Sequence, residues 1–314
     1  MLRATLARCA WAAATLVGAV TGMFALMVLA PGDPIDLLPN AEAVRPVLEV
    51  EWQLDQPAPV RLLRWWTRLL GGDLGTSLSY RPGTPVSSLV VASVLPTAGR
   101  VVGALAVVLA GGTAMAWHTS RGGASAGVSR GAVQVASLVP LFLAVHVIVA
   151  SLNGATFALI EAGAIARPGW FALPDQASAL RTALAVCLLA VASGSLHEVH
   201  AELEVSLAEL RRAPFVDAAR ARGQATTPLL LRHLLPHLCT VGAGRFAMLV
   251  GGAVVVEKLM LLPGAGAVLW NAALLRDYEV VLGLSLVAAA SVVAVRLAAD
   301  VTRMALDPRW REVP

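Results

Sequence analysis

Six stretches of about 20 mostly apolar residues dominate the chain, each long enough for a helix to cross ~30 Å of hydrocarbon. They run roughly 9–30, 94–117, 131–152, 179–197, 237–257 and 279–300. Within a bilayer only helices and closed barrels satisfy their own backbone hydrogen bonds, and segments of this length and continuity specify helices. The expected fold is therefore all-α, a polytopic membrane protein with six transmembrane helices. The charge content agrees: 14% of the 314 residues are charged, against about 25% in an ordinary soluble domain. The first stretch follows Arg3 and Arg8 in the manner of a secretory signal. Its apolar run is longer than a signal core and no small-x-small site closes it before Pro31, so it reads as a retained helix.

The basic residues exclude two classes of function. They exceed the acidic ones by four but are dispersed, with no aromatic residues interleaved among them, which is not a nucleic-acid surface. Lys258 is the single lysine and stands between Glu257 and Leu259, so the chain has no G-x-x-x-x-G-K-[ST] phosphate loop of its own. Cys9, Cys187 and Cys239 lie in or beside apolar runs and read as small apolar fillers rather than a disulfide framework.

Arginine placement orients the chain. With the N-terminus inside, the short inner segments carry Arg3, Arg8, Arg121, Arg130, Arg211, Arg212, Arg220, Arg222, Arg232, Arg303, Arg309 and Arg311, and the short outer ones far fewer basic residues. The positive-inside rule then places both termini in the cytoplasm. Arg100, Arg181 and Arg296 fall near the ends of spans, where a long side chain is expected to snorkel to the interface. Arg245 lies two turns into the fifth span and is a candidate for the translocation pathway or for a pairing inside the bundle. In the long segment after the first span, residues 60–70 set Leu62, Leu63, Trp65, Trp66, Leu69 and Leu70 against Arg61, Arg64 and Arg68. That is an amphipathic helix suited to the membrane interface, where it contacts lipid and braces its neighbours. The expected division is 1–93, the first helix with this outer segment, and 94–314, a five-helix core containing a cytoplasmic loop at 198–236.

That loop carries the mechanistic signal. Asp217-Ala218-Ala219 is followed after three residues by Gly223 and after nine more by His233-Leu234-Leu235-Pro236. Two short helices joined at a glycine make a compact knob. Paired alanines let such a knob enter a groove, and Asp217, Arg220 and Arg222 can fix its register by charge.

The spacing resembles the E-A-A-x3-G-x9-I-x-L-P coupling loop of ABC-importer permeases, with Asp for Glu and His for Ile. The resemblance extends along the chain to the B-type inner-membrane permeases of dipeptide, oligopeptide and nickel importers. It is carried by Ala30-Pro31-Gly32-Asp33-Pro34, Leu54-Asp55-Gln56-Pro57, Gly72-Asp73-Leu74-Gly75-Thr76-Ser77, the run from Gly251 to Glu257, Pro263-Gly264-Ala265-Gly266, Arg276-Asp277-Tyr278 and Leu306-Asp307-Pro308-Arg309. It implies a type I ABC importer permease fold with a coupling site at Asp217, Ala218, Ala219, Arg220, Arg222, Gly223, His233 and Pro236. It also implies outer-face motif residues Pro31, Gly32, Asp33, Pro34, Glu257, Pro263, Gly264, Gly266, Arg276, Asp277 and Tyr278. The partners it implies are a homologous C-type permease, two P-loop ATPase subunits that carry ATP and Mg, and an extracytoplasmic solute-binding protein; no cofactor belongs to this chain. The acidic run at 197–204 departs from the family, whose members show a basic residue and a threonine or serine there.

Rival chemistries are weaker. In His197-Glu198-Val199-His200 the second histidine comes one residue too early for H-E-x-x-H, and a solvated helix face is expected. His233 and His237 flank Pro236 at an expected loop-to-helix junction, which spoils ligand geometry. A membrane enzyme would need a base inside the bundle; only His146 is well inside a span, and the nearest serines, Ser137 and Ser151, have no acid beside them. A stand-alone secondary transporter calls for intramembrane relays or broken helices, and Arg245 is the one candidate. A nickel or metal-chelate importer shares the permease pattern, but histidine is absent from every predicted outer segment, which favours di- or oligopeptides.

Overall fold

The computed structural model describes residues 2–38, 40–164 and 176–306. The elements are α1 (Leu2–Leu29), a 3-10 turn (Ile35–Leu37), α2 (Ala41–Glu51), α3 (Ala58–Leu70), α4 (Val86–Thr119), α5 (Ala124–Ser137), α6 (Leu141–Glu161), α7 (Gln176–Val191), α8 (Ser195–Arg211), α9 (Pro214–Ala221), α10 (Thr226–Leu259), α11 (Ala265–Leu274) and α12 (Tyr278–Leu306). An antiparallel bridge between Thr76 and Pro85 is the one strand-like pairing among the described residues.

Among the described residues, five helices are long and apolar enough to span a membrane: Ala10–Leu29 within α1, then α4, α6, α10 and α12. The pair Ala179–Val191 and Ser195–Arg211, bent by 49° at its break, has the length and composition of a sixth span when counted as one. The expected all-helical architecture is therefore present, with three corrections of detail. The third apolar stretch is not one helix over 131–152. Backbone leaves α5 at Ser137 and re-enters a helix at Leu141, because Pro140 cannot donate into a continuing helix and restricts the residue before it. Pro236 does not end a loop but lies inside α10, whose 34 residues run unbroken from the supposed loop into the span. Cys187 is exposed rather than a filler, and Cys239 is half-buried. The Leu306–Arg309 motif runs past the described residues.

The chain folds into two compact units, Met1–Thr97 with Pro263–Val293, and Ala98–Leu262 with Ala294–Pro314. In the first, Val20 and Phe24 of α1 pack with Trp65 of α3 and Leu282 of α12. A second cluster joins Val86 and Leu89 of α4 to Ala272 of α11 and to Val280, Val281 and Leu284 of α12. Trp65 is buried, so α3 braces its neighbours as its pattern predicts, and Arg61 lies over the Tyr278 ring at 4.6 Å.

The second unit packs α4 against α8 through small residues, which let membrane helices approach closely without a hydrophobic drive. A Cβ on Gly112 of α4 would fall 2.7 Å from Val199 Cγ1 of α8. Leu203, Leu207, Leu234 and Leu249 are fully buried in its core. Arg100 does not snorkel. It is 5% exposed and pairs at 3.2 Å with Glu257, which is 0% exposed, because α4 and the end of α10 bury both groups where only a partner offsets desolvation.

Candidate functional site

The knob predicted from spacing is α9 with the turn that follows. Ala213 precedes Pro214 at the first helical position, where a missing N–H costs nothing. Val216 and Ala219 turn inward and are buried, while Asp217, Ala218, Arg220 and Arg222 face out. Gly223 has φ +69°. Its N–H bonds Arg220 O at 2.9 Å and the Gln224 N–H bonds Ala219 O at 3.0 Å, which is a Schellman cap closing the helix. A side chain at Gly223 would meet open space, so the glycine is there for its left-handed backbone.

Asp217 and Arg220 pair with each other at 2.9 Å across one helical turn, an exposed contact of small energetic weight. His233 does more than mark a position: its ring stacks on Phe215 of α9 with centroids 4.6 Å apart, and Nδ1 donates to Leu229 O at 2.8 Å. The stack fastens the knob to the first turns of α10. That helix is not short, so the expected pair of short helices is one short helix and one 34-residue rod. Pro236 sits half-buried within the rod.

The acidic run before the knob is a set of ties within the second unit. Arg245 of α10 bonds both Glu198 and Glu202 of α8, the latter at 3.3 Å. Arg130 of α5 grips Glu204 with two bonds, at 3.1 and 2.5 Å. His200 is buried, not solvated as the sequence suggests, and its Nε2 lies 3.0 Å from Thr119 Oγ1. The cause is Gly112, which draws α4 onto the His200 face of α8. Sequence spacing singled out Arg245 but missed Arg130 and Thr119, whose partners lie 74 and 81 residues away.

In the first unit the motifs expected at the outer face converge. Asp277 is fully buried at the start of α12. Its Oδ2 accepts from Ser77 Oγ at 2.6 Å and from the N–H groups of Leu78, Ser79 and Tyr80 at 2.9, 3.1 and 3.0 Å. Oδ1 accepts from the Val280 N–H at 3.3 Å, capping the helix. Arg276, in a left-handed conformation, donates to Gly32 O at 2.6 Å and Ala30 O at 3.3 Å. Asp33 Oδ1 accepts from the Ile35 and Asp36 N–H groups, and Oδ2 from Arg45 at 2.7 Å. Burial raises the Asp33 pKa, but the Arg45 bond, the two N–H groups and the Arg45 charge outweigh it and hold the carboxyl below its ordinary value. Arg68 and Glu279 pair at 2.5 Å behind Gly75. Tyr278 is buried against Phe24. Pro31 and Gly32 form the bend after α1, and Asp33 and Pro34 lead into the 3-10 turn.

Pro263 and Gly264 lead into α11 of the same unit and Gly266 lies in its first turn, where the Ala265 N–H donates to Thr97 Oγ1 at 2.8 Å. Glu257 instead lies in the second unit, paired with Arg100. Ser77, Arg45 and Arg68 were not singled out as partners in the sequence, since no local pattern connects them to groups as much as 211 residues away.

A family model described as binding-protein-dependent transport system inner membrane component matches residues 106–312. The chain belongs to that family. The matched region contains the whole knob, the acidic ties and the Arg276-Asp277-Tyr278 motif. Over nearly its full length the chain is also similar to the oligopeptide transport system permease proteins of Salmonella typhimurium (30% identity, 99% of this chain and 100% of the relative) and Escherichia coli (29%, 99% and 100%). The glutathione transport system permease protein of Salmonella paratyphi A is 29% identical over 95% of each chain. This inner membrane component thus has the all-helical type I permease fold, and its role is that of a permease subunit rather than of a catalyst.

Proposed function

We propose that the chain forms half of the translocation pathway of an ATP-driven importer for di- or oligopeptides in a bacterial inner membrane, with both termini cytoplasmic. The oligopeptide and glutathione permeases to which it is similar support the substrate class. Its partners in this reading are a homologous C-type permease, two P-loop ATPase subunits that hold ATP and Mg, and an extracytoplasmic solute-binding protein. The single observation that carries the coupling role is the α9 knob. Its exposed face of Asp217, Ala218, Arg220 and Arg222 is small, charged and rigidly closed by the Gly223 cap.

ATPase closure pushes on this face. Val216 and Ala219 press the knob into its own unit, and the Phe215–His233 stack passes the displacement to α10. The Arg245 ties make α8 follow α10. Energy enters through the partner, and this chain alternates between two arrangements of packed helices. The test is a mild-detergent pull-down of the tagged chain with an ATPase assay. Recovery of a second six-span permease and P-loop subunits, with hydrolysis stimulated by a binding protein carrying a peptide, is the expected result. Recovery of the folded chain alone without ATPase refutes the reading.

A further inference from the structure

The two helix interruptions in the second unit lie at one level. Cβ atoms on Gly103 and Gly111 of α4 would fall 3.4 Å from Val186 and 3.2 Å from Leu196, so the break between α7 and α8 is abreast of the α4 residues between those glycines. The apolar stretch 94–117 in α4 has its middle at Leu105 and Ala106. A Cβ on Gly252 of α10 would approach Leu189 Cδ1 to 2.8 Å and Leu141 Cδ2 to 3.0 Å, which sets the start of α6 beside the end of α7. Both breaks therefore fall near the middle of the hydrocarbon layer.

They open on one cavity of about 510 Å³, with Leu138, Val139 and Pro140 on one side, Ser193 on another, and Met248 and Gly251 of α10 between. The volume is that of a small-molecule site, ~300–1,000 Å³. Leu138 is 73% and Met248 57% exposed, so this chain does not cover the cavity itself. Among the described residues the N–H groups of Val139 and Leu141, which line the cavity, find no backbone acceptor. Non-helical backbone at membrane depth is tolerated only where protein buries it or water reaches it. Among the described residues no charged side chain lines the cavity, and its polar groups are backbone and serine hydroxyls.

We infer that this cavity, formed where the α5–α6 and α7–α8 breaks meet the glycine face of α10, is the chain's share of an aqueous transport path and receives the main chain of a passing peptide. Uncharged walls of aliphatic residues, serine and glycine form no ion pair with a passing side chain, whereas free backbone donors suit the carbonyls and carboxylate that every peptide shares. The inference rests on the peptide-importer reading.

The test places Ser193→Cys, Met248→Cys and, as an exposed control on α6 outside the cavity lining, Phe157→Cys in a chain whose Cys9, Cys187 and Cys239 are replaced by serine, assembled with its partners in nanodiscs. A charged, water-soluble methanethiosulfonate should modify the two cavity cysteines about tenfold faster than the control, as a water-filled site requires. Saturating trialanine with binding protein and Mg-ATP should abolish that advantage. Labelling no faster than the control, or fast only when the chain is separated from its partner permease, overturns the path. Fast labelling that trialanine leaves unchanged overturns the peptide site. Absence of ATP-driven trialanine uptake by the cysteine-free complex instead refutes the importer reading, whatever the labelling shows.

Discussion

Replacing Asp277 with alanine removes the acceptor for five donors at once. Ser77 Oγ and the Val280 N–H are buried, so water does not readily take the place of the carboxylate. Each such orphan costs ~2 kcal/mol, within the usual 1–3 kcal/mol. The N–H groups of Leu78, Ser79 and Tyr80 are half-buried and reach water after a small rearrangement, at ~1 kcal/mol each. Losses within one network are not additive. A net local destabilisation of ~4 kcal/mol follows, roughly a thousandfold in the opening equilibrium. Amide hydrogen exchange of the peptide spanning residues 75–85, measured in nanodiscs, should accelerate by that factor. Asp277→Asn keeps one carbonyl oxygen and should lose less, mainly the cap on Val280, ~1 kcal/mol. Less than about tenfold acceleration in the alanine variant, or a larger effect in the asparagine one, would refute the view that this carboxylate holds the loop.

Three further outcomes are expected. Because the folded Asp33 binds its proton less readily than the unfolded one, its contribution is complete above the ordinary carboxyl value of ~3.9 and disappears as pH falls through the lower folded value; proteolysis around residues 31–45 should speed up on acidification and lose that dependence in Asp33→Asn. Gly223→Val forces a β-branched residue into a left-handed conformation at ~1–2 kcal/mol; membrane insertion should persist while uptake falls relative to ATP hydrolysis, and unchanged uptake per ATP counts against the coupling role. Glu257→Ala leaves Arg100 without its carboxylate and should cost ~3–5 kcal/mol, read as a large fall in thermal stability, whereas the double replacement by leucine should recover most of it.

Periodicity and length made the spans legible, and so did the knob, because a left-handed glycine at a fixed distance from a short helix is a local requirement. The brace formed by α3 was equally local: its tryptophans and arginines alternate at helical spacing. What hydropathy could not locate was the break at Pro140, since apolar residues continue on both sides of it. Pro236 misled in the opposite direction. Its missing N–H is tolerated because Leu230, Leu234 and Val241, before and after it, are all buried and hold α10 straight through. His200 looked like a surface residue because polar neighbours surround it in sequence, while the glycine that buries it lies in another helix. The carboxylates of the acidic run gave no sign of their arginines for the same reason.

The Asp277 contact has a consequence for biosynthesis. Ser77 and Asp277 are separated by 200 positions, so the hydroxyl leaves the ribosome long before its acceptor exists. At about 5–20 residues per second the interval is on the order of 10–40 s. For that time the three successive amides after Ser77 have no carboxylate to gather them. The loop at 75–85 is thus among the last parts of its unit to set, and a ribosome pause between the two positions prolongs the window in which proteases or wrong partners can reach it.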